Sequence, residues 1–155
     1  MWDRTFWIQL IASLVGTAGF SLMFRLNAKH LLWAILGGGL TFFVYDGVDH
    51  LMGSVFAAAF ISSAVSALYA ELCARLNRAP TVVFILTCAI PIVPGGSLYR
   101  AMFHMISKEF DTAVSYLWQT VSIALGIAGG LAAVSLLVHV INEIILHLKK
   151  QRQEK

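Results

Sequence analysis

Charge is what this chain has least of. Only 12% of its 155 residues are Asp, Glu, Lys or Arg, against 59% hydrophobic residues and a mean hydropathy of +0.79. Such a balance excludes a soluble globular domain and an intrinsically disordered chain. No basic surface with interleaved aromatics accompanies the net charge of +3, so nucleic acid is excluded as a partner. Cysteine is nearly absent: Cys73 and Cys88 lack metal-type spacing and read as small apolar fillers, not as a disulfide framework. Proline is rarer than in most chains, with only Pro80, Pro91 and Pro94, and two of the three stand three positions apart inside an apolar stretch.

What fills the chain instead is a set of runs without acidic or basic side chains, the five long ones covering 5–24, 30–45, 50–70, 79–99 and 112–142. A hydrocarbon core of about 30 Å needs about 20 helical residues, so four runs qualify outright and the second, 30–45, is short. The first run is a full span whose leader carries Asp3 beside Arg4 and no obvious small-residue cleavage site, so it reads as a retained helix, not a secretory signal. The expected fold is an all-α integral membrane protein, a bundle of about five transmembrane helices, the fourth broken at 91–96. Residues 1–148 form one transmembrane domain and 149–155 a basic cytoplasmic tail. With five spans, Arg25, Lys29, Arg75, Arg78, Lys149, Lys150, Arg152 and Lys155 fall on one side and Arg4, Arg100 and Lys108 on the other. That bias puts the N-terminus outside and the C-terminus in the cytoplasm of a cell membrane, where the tail meets anionic headgroups.

The break is Pro91-Ile92-Val93-Pro94-Gly95-Gly96. Proline removes a backbone donor and crowds the preceding turn, and glycine adds backbone freedom, so 81–99 is not one regular helix. An unpaired carbonyl in hydrocarbon costs several kcal/mol, so such a break belongs where protein or a water-filled cavity surrounds it, as in transporter sites. Counted from Pro80, the break lies about 21 Å deep, in the outer part of the bilayer. A second half-helix starting near Ser97 offers its N-terminus to an anion, with Arg100 and His104 on the following turns. Arg100 also suits a headgroup anchor, and Tyr99 an interfacial aromatic. At Gly95 a positive φ or a close backbone approach is expected.

The second span carries Gly37-Gly38-Gly39 at its middle and runs into Asp46, Asp49 and His50, so it is expected to be irregular. If the helix continues through Asp46, these three share one face and become candidates for proton or ion coupling; a solvated outer turn explains them equally well. The third span repeats small residues at Ser54, Ala58, Ser62, Ser66 and Ala70 and the fifth carries Gly126 and Gly130, contact faces read chiefly as packing within the chain. From Ser135 onward, His139, Asn142, Glu143 and His147 form a polar stripe on a helix too long for one crossing, suited to docking a partner or to lying on lipid. A metal on that row is disfavoured, and no cofactor is expected.

The segment from Ile90 to Tyr99, followed by Ala101-Met102, resembles the P-x-x-P-G-x-x-x-Y signature of the threonine/serine exporter family, in its second, purely membrane-embedded half. Gly19 with Phe20, Phe24 leading to Lys29, Trp33 and a glycine-rich last span are similar to the small, YjjB-like stand-alone subunits of that family. The resemblance implies a partner chain carrying a soluble domain plus membrane helices, and export of threonine, serine or a dicarboxylate such as succinate driven by the proton gradient. It makes Pro91, Pro94, Gly95, Gly96, Tyr99 and Arg100 the expected path or gate, with Asp46, Asp49 and His50 for coupling. Homo-oligomerisation stays open. The competing reading is a structural or assembly membrane protein. An intramembrane enzyme built on Ser97 with His104 or an Asp pair is set aside, since Gly95-Gly96-Ser97-Leu98-Tyr99 lacks the second glycine of a nucleophile elbow.

Overall fold

Each of the three prolines marks a helix boundary. Pro80 caps the N-terminus of one helix, Pro91 lies in a short 3-10 turn, and Pro94 caps the helix that follows. In the computed structural model, which describes residues 4–153, the helices are α1 (Arg4–Met23), α2 (Ala28–Met52), α3 (Val55–Asn77), α4 (Thr81–Ala89), the 3-10 turn (Ile90–Ile92), α5 (Gly95–Ile106) and α6 (Phe110–Gln153). Side chains of the basic tail expected at 149–155 lie outside the described residues. Four helices are long and apolar enough to cross a membrane unbroken, and the pair Thr81–Ile92 and Gly95–Ile106, bent by 47°, makes a fifth crossing if it is one span. The protein is an all-α membrane bundle with its fourth span broken where proline and glycine cluster.

Three of the four helix ends that turn left-handed do so at a basic residue. Arg25 (φ 53°), Arg78 (φ 51°) and Lys108 (φ 62°) follow α1, α3 and α5, and Gly53 (φ 60°) follows α2. A left-handed residue lets the next N–H reach back to the last turn, and a cation there meets the negative end of the helix dipole. Ser54 then caps α3, accepting from Ala57 N–H. Only Gly53 and Ser54 separate α2 from α3, so the third span begins at Val55, not at 50.

The second span is neither short nor irregular. α2 has 25 residues, about 37 Å, and passes without interruption through Gly37-Gly38-Gly39, Asp46, Gly47 and Asp49. Its glycines are packing surfaces. A Cβ on Gly37 would strike Cys88 Sγ and stand 2.6 Å from the Tyr69 ring; one on Gly38 would strike Thr17; one on Gly39 would lie 2.7 Å from Leu14. Successive helix positions point about 100° apart, so three adjacent glycines admit α1 on one side and α3 and α4 on the other. The Tyr69 hydroxyl donates to the Trp33 carbonyl at 2.9 Å, and Cys88 Sγ lies 3.8 Å from the Ala34 carbonyl.

A core of Ala34, Ala70, Cys73, Ala74 and Phe84, flanked by Leu26 and Ala79, fills the end of the bundle where α1 turns into α2 and α3 into α4. α6 packs along α3 through Gly126 and Gly130, whose missing Cβ atoms make room for the Phe56 and Phe60 carbonyls. These glycines meet Ala59 and Ser63, while the predicted small row at Ala58, Ser62, Ser66 and Ala70 is buried one position around α3. Both rows therefore pack within the chain. Most buried hydroxyls turn back onto their own helices: Ser21 to the Thr17 carbonyl, Thr41 to Gly37, Ser62 to Ala58, Thr87 to Val83. In an apolar medium that pairing is what permits them.

The α3–α6 contact makes a direct test of close helix approach. Gly130→Ala pushes a methyl into the Phe60 carbonyl, and overpacking of this kind costs about 1–3 kcal/mol. Gly95→Ala meets open space. Thermal unfolding of the detergent-purified protein should fall for Gly130→Ala and hold or rise for Gly95→Ala; equal melting of the two would contradict the packing assigned to α6.

Candidate functional site

Regular continuation of α2 past its glycines brings two carboxylates to the broken helix. Phe42, Tyr45, Asp46 and Asp49 recur at helical spacing on one face, and Gln9, Ser13 and Gly16 do the same on α1. Between them, closed by Ile90 and Pro91 of the 3-10 turn, lies a cleft of about 570 Å³. Pro91 has no N–H for the carbonyl of Thr87, and Pro94 none for that of Ile90, which accepts instead from Val93 at 3.1 Å. The Ile90 carbonyl is thus re-paired by a tighter turn, beside a polar cavity. α4 and the turn rise about 20 Å against about 37 Å for α2, so the break stands near mid-height of that longer helix, at the distance from Pro80 that the sequence suggests.

Of the residues singled out in the sequence, this cleft gathers Pro91, Asp46 and Asp49. His50 stays on α2, its Nδ1 2.9 Å from the Asp46 carbonyl oxygen and 3.6 Å from the Asp46 carboxylate. Pro94, Gly95, Gly96, Tyr99 and Arg100 lie beyond the bend, on a helix that packs against α6. There the Arg100 guanidinium sits 5.8 Å over the Tyr116 ring, and the His104 ring stacks on the same tyrosine at 5.5 Å while its Nδ1 pairs with Glu109 at 2.6 Å. Ser97 donates to the Pro94 carbonyl and accepts from Thr120. The polar face of α5 is therefore turned onto α6, and Tyr99, 69% exposed, points away from the bundle. Gly95 and Gly96 have neither a positive φ nor a close neighbour, which removes the steric ground for requiring glycine at either.

Gln9, Ser13, Gly16 and Tyr45 were missed in the sequence. Their signal is the spacing 9, 13, 16, one polar or small stripe on an otherwise apolar first span. A second cleft, of about 350 Å³, lies at the other end of α4, where Thr81, Val82 and Ile85 face Ala67 and Glu71 of α3 and Val134, Ser135, Val138, His139 and Asn142 of α6. The polar stripe read from Ser135 onward thus partly lines a cavity. No group of three metal-ligating side chains comes together among the described residues.

The family model described as threonine/serine exporter, ThrE, matches residues 9–137, from the first cleft-lining residue of α1 through most of the α6 contact with α3. The chain belongs to the threonine/serine exporter family. No curated protein and no solved structure matches it. Membership makes this a multi-pass membrane protein of a transporter family, and the matched stretch contains the whole lining of the first cleft.

Water in that cleft is directly measurable. Ser13→Cys and Gly16→Cys, placed on its wall, should react with a membrane-impermeant thiol reagent, whereas Ser62→Cys, fully buried, should not. Unreactive cysteines at both cleft positions in an inserted protein would mean that lipid or protein fills the space.

Proposed function

We propose that this chain is the membrane subunit of a two-component secondary exporter for a small carboxylated metabolite, coupled to the proton gradient. The observation that carries the reading is the meeting of a broken span with two carboxylates of the last turns of α2, Asp46 and Asp49, in one cleft of a chain from an exporter family. Transporter sites are commonly built where a helix is interrupted near the midplane, and acids at such depth commonly carry protons or ions.

The chemistry of the cleft narrows the roles. Its lining holds two carboxylates, an amide, a hydroxyl and a phenol but no lysine or arginine. Such a surface suits a proton or an ammonium group and repels a dicarboxylate, which favours threonine or serine over succinate as cargo. Asp46 is then the proton-responsive carboxyl, with Asp49 beside it and His50 holding its helix turn. Pro91 forms the floor of the path; Pro94, Gly95 and Gly96 supply the bend; Tyr99 and Arg100 lie on the helix beyond it. By the positive-inside bias this cleft opens outward, and the Arg75 end faces the cytoplasm of the cell membrane. The partner is a second subunit with a soluble domain and its own membrane helices. α5, which packs on α6, and the first turns of α6 expose Phe103, Ile106, Phe110 and Trp118 and provide a membrane-embedded surface for it.

The test is export of labelled threonine, serine and succinate from cells lacking their own exporters. Threonine or serine should leave only when this chain and the partner are expressed together. Asp46→Asn should lower export by roughly tenfold or more without loss of insertion, because it removes the titrating group from the path. Export unaffected by that substitution removes the coupling role. No export of any of the three by inserted chains in either combination moves the reading to a structural or assembly protein.

A further inference from the structure

The second cleft differs from the first in kind: its lining sets one carboxylate, Glu71, against an imidazole, His139, and a guanidinium at its border, that of Arg75, bonds two of the lining residues, Glu71 and Asn142. Glu71 is the acid of α3 within it, its side chain 22% exposed. Its Oε1 accepts from Arg75 Nε at 3.0 Å and its Oε2 from the Thr81 hydroxyl at 3.1 Å. Arg75 is held in turn, its Nη2 donating to Asn142 Oδ1 at 3.1 Å. Three helices thereby fix one carboxylate. A carboxylate has about four acceptor positions and two are used; a guanidinium has five N–H donors and the recorded bonds use two. The capacity left over belongs to one acceptor and one cationic donor on neighbouring turns of α3, with the His139 imidazole across the cleft on α6.

We infer that this cleft binds a small zwitterion, with Glu71 taking its ammonium group and His139 and Arg75 its carboxylate. The inference rests on the exporter reading above and assigns the cargo's loading site to the end opposite Asp46. Ser135 and the Asn142 amide supply partners for a side-chain hydroxyl, and Val134, Val138 and Ile85 an apolar wall for a methyl. About 350 Å³ is on the order of ten water-sized volumes of about 30 Å³, which is room for threonine with hydrating water. A dicarboxylate fits badly, since one of its ends must face Glu71. α4 walls both clefts, this one through Thr81, Val82 and Ile85 and the acidic one through the adjoining Ile90 and Pro91, while Phe84, Thr87 and Cys88 between them are fully buried. A loading site and a proton site therefore share one barrier.

The experiment is equilibrium binding of labelled serine to the purified full chain in lipid nanodiscs, with competition by threonine, by hydroxypropionate, which lacks the ammonium, by ethanolamine, which lacks the carboxylate, and by succinate. Threonine should compete about as well as serine, and the other three more weakly by roughly tenfold or more, the loss of one charge-assisted contact. Glu71→Gln should narrow the gap between serine and hydroxypropionate, and His139→Ala that between serine and ethanolamine. A purely structural role for Glu71 would weaken all ligands together and leave the ratio unchanged, and that result overturns the assignment. So does succinate competing as well as threonine, the absence of serine binding, or ammonium discrimination lost in Asp46→Asn and kept in Glu71→Gln. The outcomes separate the two readings: binding that follows this pattern in a chain that exports nothing sinks the exporter reading alone. Two-chain export of serine whose KM is indifferent to Glu71→Gln sinks this site alone.

Discussion

Everything in this bundle depends on how closely other helices can approach the middle of α2. Three consecutive glycines remove the side chains that would hold α1, α3 and α4 away, and what fills the space is specific: Thr17 and Leu14 on one side, the Tyr69 ring and Cys88 on the other. A Cβ at Gly38 would stand 2.8 Å from Thr17 Cβ, so even alanine there forces α1 to move. In lipid no hydrophobic gain drives helices together, and close packing with a few interhelical hydrogen bonds must do it. The bond from Tyr69 to the Trp33 carbonyl and the contact of Cys88 with the Ala34 carbonyl become available because Gly37 lets both side chains reach the α2 backbone.

That constraint places the break. Cys88 seated against Gly37 sets the height of α4, and the 3-10 turn that follows is packed against α1 and α2. Pro91 and Pro94 interrupt the helix ladder beside a cavity lined by Gln9, Ser13 and Asp46, where water or a polar ligand can meet what the backbone lacks. A hydrocarbon neighbour at the same height would leave those groups unmet. The acidic cleft and the interrupted helix are therefore two consequences of one arrangement.

Much of this was legible in the sequence, and the failures share a cause. Apolar runs give the number of spans and the proline-glycine cluster gives the bent one, because both are local signals. Charges bound the apolar runs without marking helix ends: the second run stops at 45 and the third at 70, whereas α2 continues through Asp46 and Asp49 to Met52 and α3 through Glu71 to Asn77. A helix longer than the hydrocarbon can carry such residues within its last turns, so a charge marks depth, not termination. Glycines were read as breaks, yet Gly37-Gly38-Gly39 is regular helix because the cost of glycine, about 1 kcal/mol each, is offset by contacts that no local pattern reveals. Arg100 was read as facing a substrate; its ring partner is Tyr116, sixteen residues on in the sequence and visible only once α5 folds back along α6. Long-range pairing is what periodicity does not encode.

The two clefts pose a mechanical question that their walls help to answer. A transporter that exposed both at once along one open path would leak, so the element between them must seal one while the other is open. On the exporter reading proposed above α4 is that element by position, and it is short: nine residues, capped by Pro80 and followed at once by the 3-10 turn that holds Pro91. Its attachments are unequal. At the Glu71 end Thr81 is tied by a hydrogen bond to a carboxylate that Arg75 also holds, whereas at the other end the 3-10 turn meets α1 and α2 by packing. An ammonium group arriving at Glu71 competes for the oxygen that anchors Thr81, while packing at the far end can slide without breaking a charged bond. Loading at one end would thus loosen a side-chain hydrogen bond between α4 and α3, which is the physical form that coupling between cargo and barrier would take on that reading.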